Sequence, residues 1–147
     1  MLFKKITTKS AQETSNLGQS LSKNLKIPSI ICLSGNLGAG KTTFIQGLAT
    51  GLGIKKRVIS PTFVFIRQYQ LDYGNNFYHL DLYRLDSIND AKSIGLEEIL
   101  NDKKAIIAIE WPEKILEMLP KDRLEINFSY LNDKQRQIEI KSWLTKI

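Results

Sequence analysis

The 147-residue chain has one cysteine and one histidine. A lone Cys32 rules out an internal disulfide framework. Set in an apolar run, it reads as core filler, so no disulfide-linked partner is expected. His79 stands without a Cys or His cluster, which leaves no thiolate–imidazole metal pattern; it reads as a strand residue near a site ahead of a ligand or general base. Long apolar runs are also missing. None approaches the roughly 20 residues that span a bilayer, so no membrane association is expected. Met1 to Thr8 carry no apolar signal core, and the expectation is a cytoplasmic protein. There is no low-complexity tract and no internal repeat. What remains is an ordinary soluble composition, 42% hydrophobic and 24% charged. The length fits one domain, 1–147, able to bury about 68–70% of its unfolded surface. The net charge of +6 favours anionic partners. The lysines are scattered, however, and a solvated face accounts for the small clusters Lys55-Lys56-Arg57 and Lys103-Lys104.

The most informative segment is Gly35-Asn36-Leu37-Gly38-Ala39-Gly40-Lys41-Thr42. It matches the phosphate-binding loop G-x-x-x-x-G-K-[ST] at every specified position. Such a loop must curl its N–H groups into a nest around phosphates, and Gly35, Gly38 and Gly40 supply the left-handed conformations this needs. Lys41 offers a charge to the phosphates, Thr42 a hydroxyl to Mg²⁺, and the helix starting there its positive end. Context supports the match. The apolar run Ser29 to Ser34 precedes it as a buried strand, and Thr43 to Leu52 follows with Phe44, Leu48 and Leu52 at helical spacing, closed by Gly53.

Elsewhere, Ser10-Ala11-Gln12-Glu13 forms a capping box, and Leu17, Leu21 and Leu25 recur every four residues, predicting a helix over Ala11 to Asn24 after a strand at Leu2 to Thr7. Phe63 to Tyr69 alternates as a strand, Asp72 to Asn76 is a turn, and Phe77 to Leu80 is a strand ending in Asp81. Asp86 to Leu100 reads as two short helical pieces interrupted at Gly95. Lys104 to Ile109 is a fully apolar strand ending in Glu110, with Pro112 suited to the first turn of a following helix. Arg123 to Tyr130 and Arg136 to Trp143 alternate as the last two strands. The pattern predicts an α/β fold: a P-loop NTPase-like three-layer sandwich with a mixed, largely parallel central sheet and helices on both faces. Ligand is then expected at the carboxyl ends of the parallel strands.

An apolar strand ending in an acid is the usual companion of a phosphate loop, because the carboxylate can hold Mg²⁺ directly or through water. Glu110 and Asp81 are both candidates, and each can equally be a strand-end acid capping a turn. Thr62, after Pro61, reads as a turn residue or a switch. Arg84 reads as a structural ion pair or a stabiliser of phosphate charge. Trp143 reads as packing.

Four segments occur in order: Gly35 to Thr43, Ser60-Pro61-Thr62-Phe63, His79-Leu80-Asp81-Leu82-Tyr83-Arg84-Leu85 and Glu110-Trp111-Pro112-Glu113. Together with Ile94-Gly95-Leu96-Glu97-Glu98 they closely resemble the TsaE family, formerly YjeE, over nearly the whole chain. The resemblance implies a small bacterial ATPase of tRNA threonylcarbamoyladenosine biosynthesis. It would work with TsaB and TsaD on the adenosine next to the anticodon, reaching tRNA through that complex. By position, it implies ATP and Mg²⁺ held along Gly35, Asn36, Leu37, Gly38, Ala39, Gly40, Lys41, Thr42 and Thr43. Asp81 and Glu110 become metal-shell acids with Thr42, Ser60-Pro61-Thr62 resembles a switch segment, and Trp111 resembles the family's tryptophan beside the nucleotide. Lys41, Thr62, Asp81 and Glu110 are the implied catalytic set. Asn36 departs from the pattern, standing where an aspartate is usual.

The competing readings differ in what they need. A small-molecule or nucleotide kinase uses the same loop but calls for an acceptor pocket and usually an arginine-rich lid, and no insertion here is large enough for one. A GTPase needs N-K-x-D, and Asn101-Asp102-Lys103-Lys104 has the wrong order. A non-enzymatic tRNA-binding module leaves the two carboxylate-tipped strands unexplained. A weak ATPase activated by its partners accounts for the phosphate loop and for the lack of a convincing general base.

Overall fold

The computed structural model describes residues 2–59 and 65–142. In chain order the elements are β1 (Leu2–Thr8), α1 (Ala11–Ser22), β2 (Ser29–Ser34), α2 (Lys41–Gly51), β3 (Ile66–Gln70), β4 (Asn76–Asp81), α3 (Ile88–Ser93), α4 (Leu96–Leu100), β5 (Ala105–Glu110), β6 (Leu124–Tyr130) and β7 (Arg136–Ser142). The strands form a sheet in the order β1-β7-β6-β2-β5-β4-β3. Its centre, β6-β2-β5-β4, is parallel; β7 and β1 extend one side antiparallel and β3 the other.

Strand alternation creates the layers. Along β2, Ile31 and Leu33 join an apolar cluster with Phe44, Ile45 and Leu48 of α2 and Leu21 of α1. Ile30 and Cys32 join a second cluster with Leu80, Leu96 and Ile115. In β5, Ile106 and Ala108 face the first cluster and Ile107 and Ile109 the second, so all six residues of that strand are buried. A strand covered on both faces reads as a continuous apolar run, and each fully buried Ile or Leu contributes about 1.5–3 kcal/mol. Burial pushes the Cys32 thiol up to about 12, as expected of a packing cysteine.

The expected capping box opens α1. The Ser10 hydroxyl accepts the Glu13 N–H at 3.1 Å, and the Glu13 carboxylate accepts the Lys9 N–H at 2.6 Å, one residue upstream of the usual return contact. This helix crosses α2 at backbone distance. A Cβ on Gly47 would sit 1.9 Å from the Ser15 carbonyl oxygen, and one on Gly18 would sit 2.2 Å from that of Phe44. Close approach, rather than turn formation, is why glycines stand inside these helices. Asp86 to Leu100 does break into two helices at Gly95, whose φ is +81°. Pro112 begins a 3₁₀ segment, Pro112–Met118, rather than an α-helix; Ile115, with φ −135°, interrupts it. Phe63 and Val64, at the start of the expected β3, and Trp143, at the end of the expected β7, lie outside the described residues.

Candidate functional site

The carboxyl ends of β2, β5 and β4 lie side by side, with Leu33 paired to Glu110 and Glu110 to Asp81. Residues two apart share a face of a sheet. Phe77, His79 and Asp81 therefore point with Ala108 and Glu110 toward the α2 layer, where Phe77 and Ala108 enter its apolar cluster. The loop after β2 brings Lys41 and Thr42 to the same place.

That loop has the predicted conformation. Gly35, Gly38 and Gly40 adopt φ of +132°, +75° and +101°, and Gly40 leads directly into α2. Gly35 is restricted twice, because a Cβ there would also lie 2.5 Å from the Phe128 carbonyl oxygen. Lys41 is 4% exposed; its ammonium donates to the Gly35 carbonyl and lies 3.9 Å from the centroid of the Trp111 ring. Burial pulls its pKa below the usual 10.5, opposed by the nearby carboxylates Glu110, Glu113 and Asp81.

Trp111 follows Glu110 in a left-handed conformation, φ +61° and ψ +50°. For a bulky residue this backbone costs about 1–3 kcal/mol. The kink ends the strand and brings the indole against Lys41 and Tyr83, the Tyr83 and Trp111 ring centroids being 4.9 Å apart. Glu110 itself is 3% exposed and uses both oxygens: one accepts the Thr42 hydroxyl at 3.4 Å, the other lies 2.8 Å from Nε2 of His79. Asp81 accepts the Tyr83 N–H at 3.1 Å.

Lys41, Thr42, Asp81, Tyr83, Glu110 and Trp111 line a cleft of about 950 Å³. Its far wall comes from Lys9 to Ala11 and Thr14 at the start of α1 and from Asp133, Lys134 and Arg136 at the β6–β7 turn. Arg136 lies 4.7 Å over the Tyr130 ring and donates to the Gly38 carbonyl at 3.2 Å, tying this turn to the phosphate loop. Sequence reasoning missed this wall. Its only signal was a basic residue opening the last strand, and the wall exists because β1, β7 and β6 are neighbours in the sheet. A second hollow, about 870 Å³, lies at the opposite ends of the strands, where Ser29 and Ala105 begin β2 and β5.

The structure thus brings Lys41, Thr42, Asp81, Glu110 and Trp111 together, and Arg84 also lines the cleft. Ser60, Pro61 and Thr62 lie outside the described residues. Among the described residues no group of three or more His, Cys, Asp and Glu could hold a metal ion, and no helix is long and apolar enough to cross a membrane. What converges at the head of α2 is oxygen: one hydroxyl and two carboxylates. That donor set suits a hard cation whose remaining ligands come from phosphate and water, the usual situation for Mg²⁺.

A sequence model of the family described as threonylcarbamoyl adenosine biosynthesis protein TsaE matches residues 8–138. The chain is 45% identical over 117 residues to a Borreliella burgdorferi protein named tRNA threonylcarbamoyladenosine biosynthesis protein TsaE, covering 79% of this chain and 83% of that one. A Bacillus subtilis protein of the same name is 37% identical over 131 residues, covering 89% and 80%. The crystal structure of Bacillus subtilis YdiB superposes with a TM-score of 0.79 at 33% identity, covering 96% of this chain and 86% of that one.

Proposed function

The chain belongs to the TsaE family of tRNA threonylcarbamoyladenosine biosynthesis proteins, and on that premise we propose that it is a Mg²⁺-dependent ATPase acting as a switch gated by TsaB and TsaD. It reaches tRNA through that complex, in the cytoplasm, as one ATPase domain over 1–147. The observation that carries the reading is the 3.4 Å contact between the Thr42 hydroxyl and Glu110 at the start of α2, beside the buried ammonium of Lys41. Hydroxyl, carboxylate and ammonium converge where a glycine-rich loop opens a helix, and that arrangement suits a triphosphate with its cation.

The residues fit the group. The N–H groups of residues 35–40 would cradle phosphate, and Lys41 would meet the β- and γ-phosphates, giving up the Gly35 carbonyl and the indole face. Thr42 and Glu110, with Asp81 alongside, would hold Mg²⁺. When bound, the cation neutralises phosphate charge and fixes phosphate geometry. Trp111 walls the phosphate end against water. Ser60-Pro61-Thr62 would close over the γ-phosphate as the segment that partners move.

The test is phosphate release from ATP by the chain alone, with TsaB or TsaD singly, and with both. Slow release that rises with both partners is the expected result, because phosphate-loop enzymes completed in trans gain up to about 10³- to 10⁵-fold. Fast release that partners leave unchanged overturns the switch. Transfer to a metabolite or nucleotide in preference to water would establish a small-molecule or nucleotide kinase instead.

A further inference from the structure

His79 has no place in that account, yet its position is unusual. It is 0% exposed, on β4, between β5 and the edge strand β3, and its Nε2 lies 2.8 Å from Glu110. Its Nδ1 is buried and has no hydrogen-bond partner among the described residues. A histidine kept only for packing could be replaced by an aliphatic side chain of similar volume, which would leave no buried nitrogen unpaired. Here one ring nitrogen goes unsatisfied while the other is spent on a single carboxylate oxygen.

The sheet makes the contact possible. His79 pairs in register with Ala108, two residues before Glu110 on the neighbouring strand. The small alanine side chain leaves space for the imidazole to lean toward the strand end and meet Glu110. With Nδ1 idle, the tautomer that fits carries its proton on Nε2 and donates it to Oε2 of Glu110. Oε2 is thereby committed, and Oε1 is the oxygen left facing the Thr42 hydroxyl.

We propose that His79 is a positioning residue for Glu110: it fixes the carboxylate so that one oxygen faces Thr42 and the cation they share. The proposal rests on the ATPase reading above. It adds that the strand supplying Asp81 also supplies, two residues earlier, the group that orients the other acid. Hydrogen-bond partners of metal-binding carboxylates commonly account for about 10- to 100-fold in metal affinity.

Two variants separate this role from packing. His79→Leu keeps a comparable volume and removes the donor, whereas His79→Gln keeps an N–H near the place of Nε2. The measurements are calorimetric binding of ADP over a titration of magnesium chloride, ADP binding in EDTA, and thermal unfolding of each variant. For His79→Leu, the expected result is a magnesium requirement about 10-fold or more above the parent, with metal-free ADP affinity unchanged. His79→Gln should recover most of the loss. A packing role predicts the reverse order, with Leu tolerated and Gln disruptive because it buries an amide. If His79→Leu shows parental magnesium dependence, or if Gln is the more damaging of the two, the proposal is overturned. If Leu does not fold, the Gln variant decides: near-parental dependence supports the proposal and a full loss overturns it. A parent whose ADP binding ignores magnesium would overturn the ATPase reading, and this one with it; parental dependence with unaffected variants overturns this one alone.

Discussion

The ammonium of Lys41 rests 3.9 Å from the centre of the Trp111 indole and donates to the carbonyl of Gly35. A buried cation is costly unless it is paired, and this one is held by a π face, a carbonyl and carboxylates near but not directly upon it. Phosphate is the stronger partner.

Lys41→Ala should therefore lose ATP affinity by about 10-fold or more, in keeping with the loss of hydrogen bonds to a charged group, while the fold survives. Calorimetric titration beside a thermal melt checks this, and undiminished affinity would remove the central claim. The pH dependence has two opposite signs. Because the folded-state pKa lies below 10.5, the unfolded chain holds this proton more tightly, so stability contributed by Lys41 rises with pH between the lowered value and 10.5. Nucleotide affinity should fall over the same window, since the neutral amine no longer attracts phosphate.

The two acids should differ. Glu110 meets the Thr42 hydroxyl, whereas Asp81 accepts the Tyr83 backbone N–H. Glu110→Ala should cost more Mg²⁺-dependent turnover than Asp81→Ala, at least about 10-fold, and both should cost more turnover than metal-free nucleotide binding. Turnover at limiting Mg²⁺ is the measurement; parental rates in both variants would exclude them from the metal shell.

Thr62→Ala should lower turnover with little change in melting temperature if Ser60-Pro61-Thr62 is the moving segment. A lower melting temperature with intact turnover would make Thr62 a turn residue.

Gly47→Ala should destabilise the protein by about 1–3 kcal/mol or more in chemical denaturation, because its Cβ would fall 1.9 Å from the Ser15 carbonyl oxygen. Helix propensity alone predicts a gain of up to about 1 kcal/mol from the same change. The sign of the shift tells which effect wins.

Much of the site was legible because its parts are local. The spacing of Gly35 to Thr42 prescribes the loop, and a fully apolar β5 ending in Glu110 announces a buried central strand with its acid at the ligand end. The rest depends on which strands are neighbours. Arg136 reaches the phosphate loop only because β7 and β6 lie between β1 and β2, an order that no local pattern encodes. His79 meets Glu110 because β4 joins β5 in a particular register, although a period of two is enough to put His79 and Asp81 on one face. The crossing of α1 and α2 stayed hidden for a different reason: Gly18 and Gly47 look like weak points in a helix until the second backbone is in view.

The antiparallel register of β1 and β7 also bears on how the molecule can be handled. Leu2 pairs with Ser142 at one end and Thr8 with Arg136 at the other, so the first and last described strands begin and finish together, about 20 Å of strand away from the cleft. A dye or surface tether attached at Leu2 or Ser142 would leave the mouth of the cleft open. Pulling on Leu2 and Ser142 would load their pairing first and open β1 from β7 one hydrogen bond at a time, like a zipper, before β2, β4 or β5, whose ends bring the phosphate loop, Asp81 and Glu110 to the cleft, bears force.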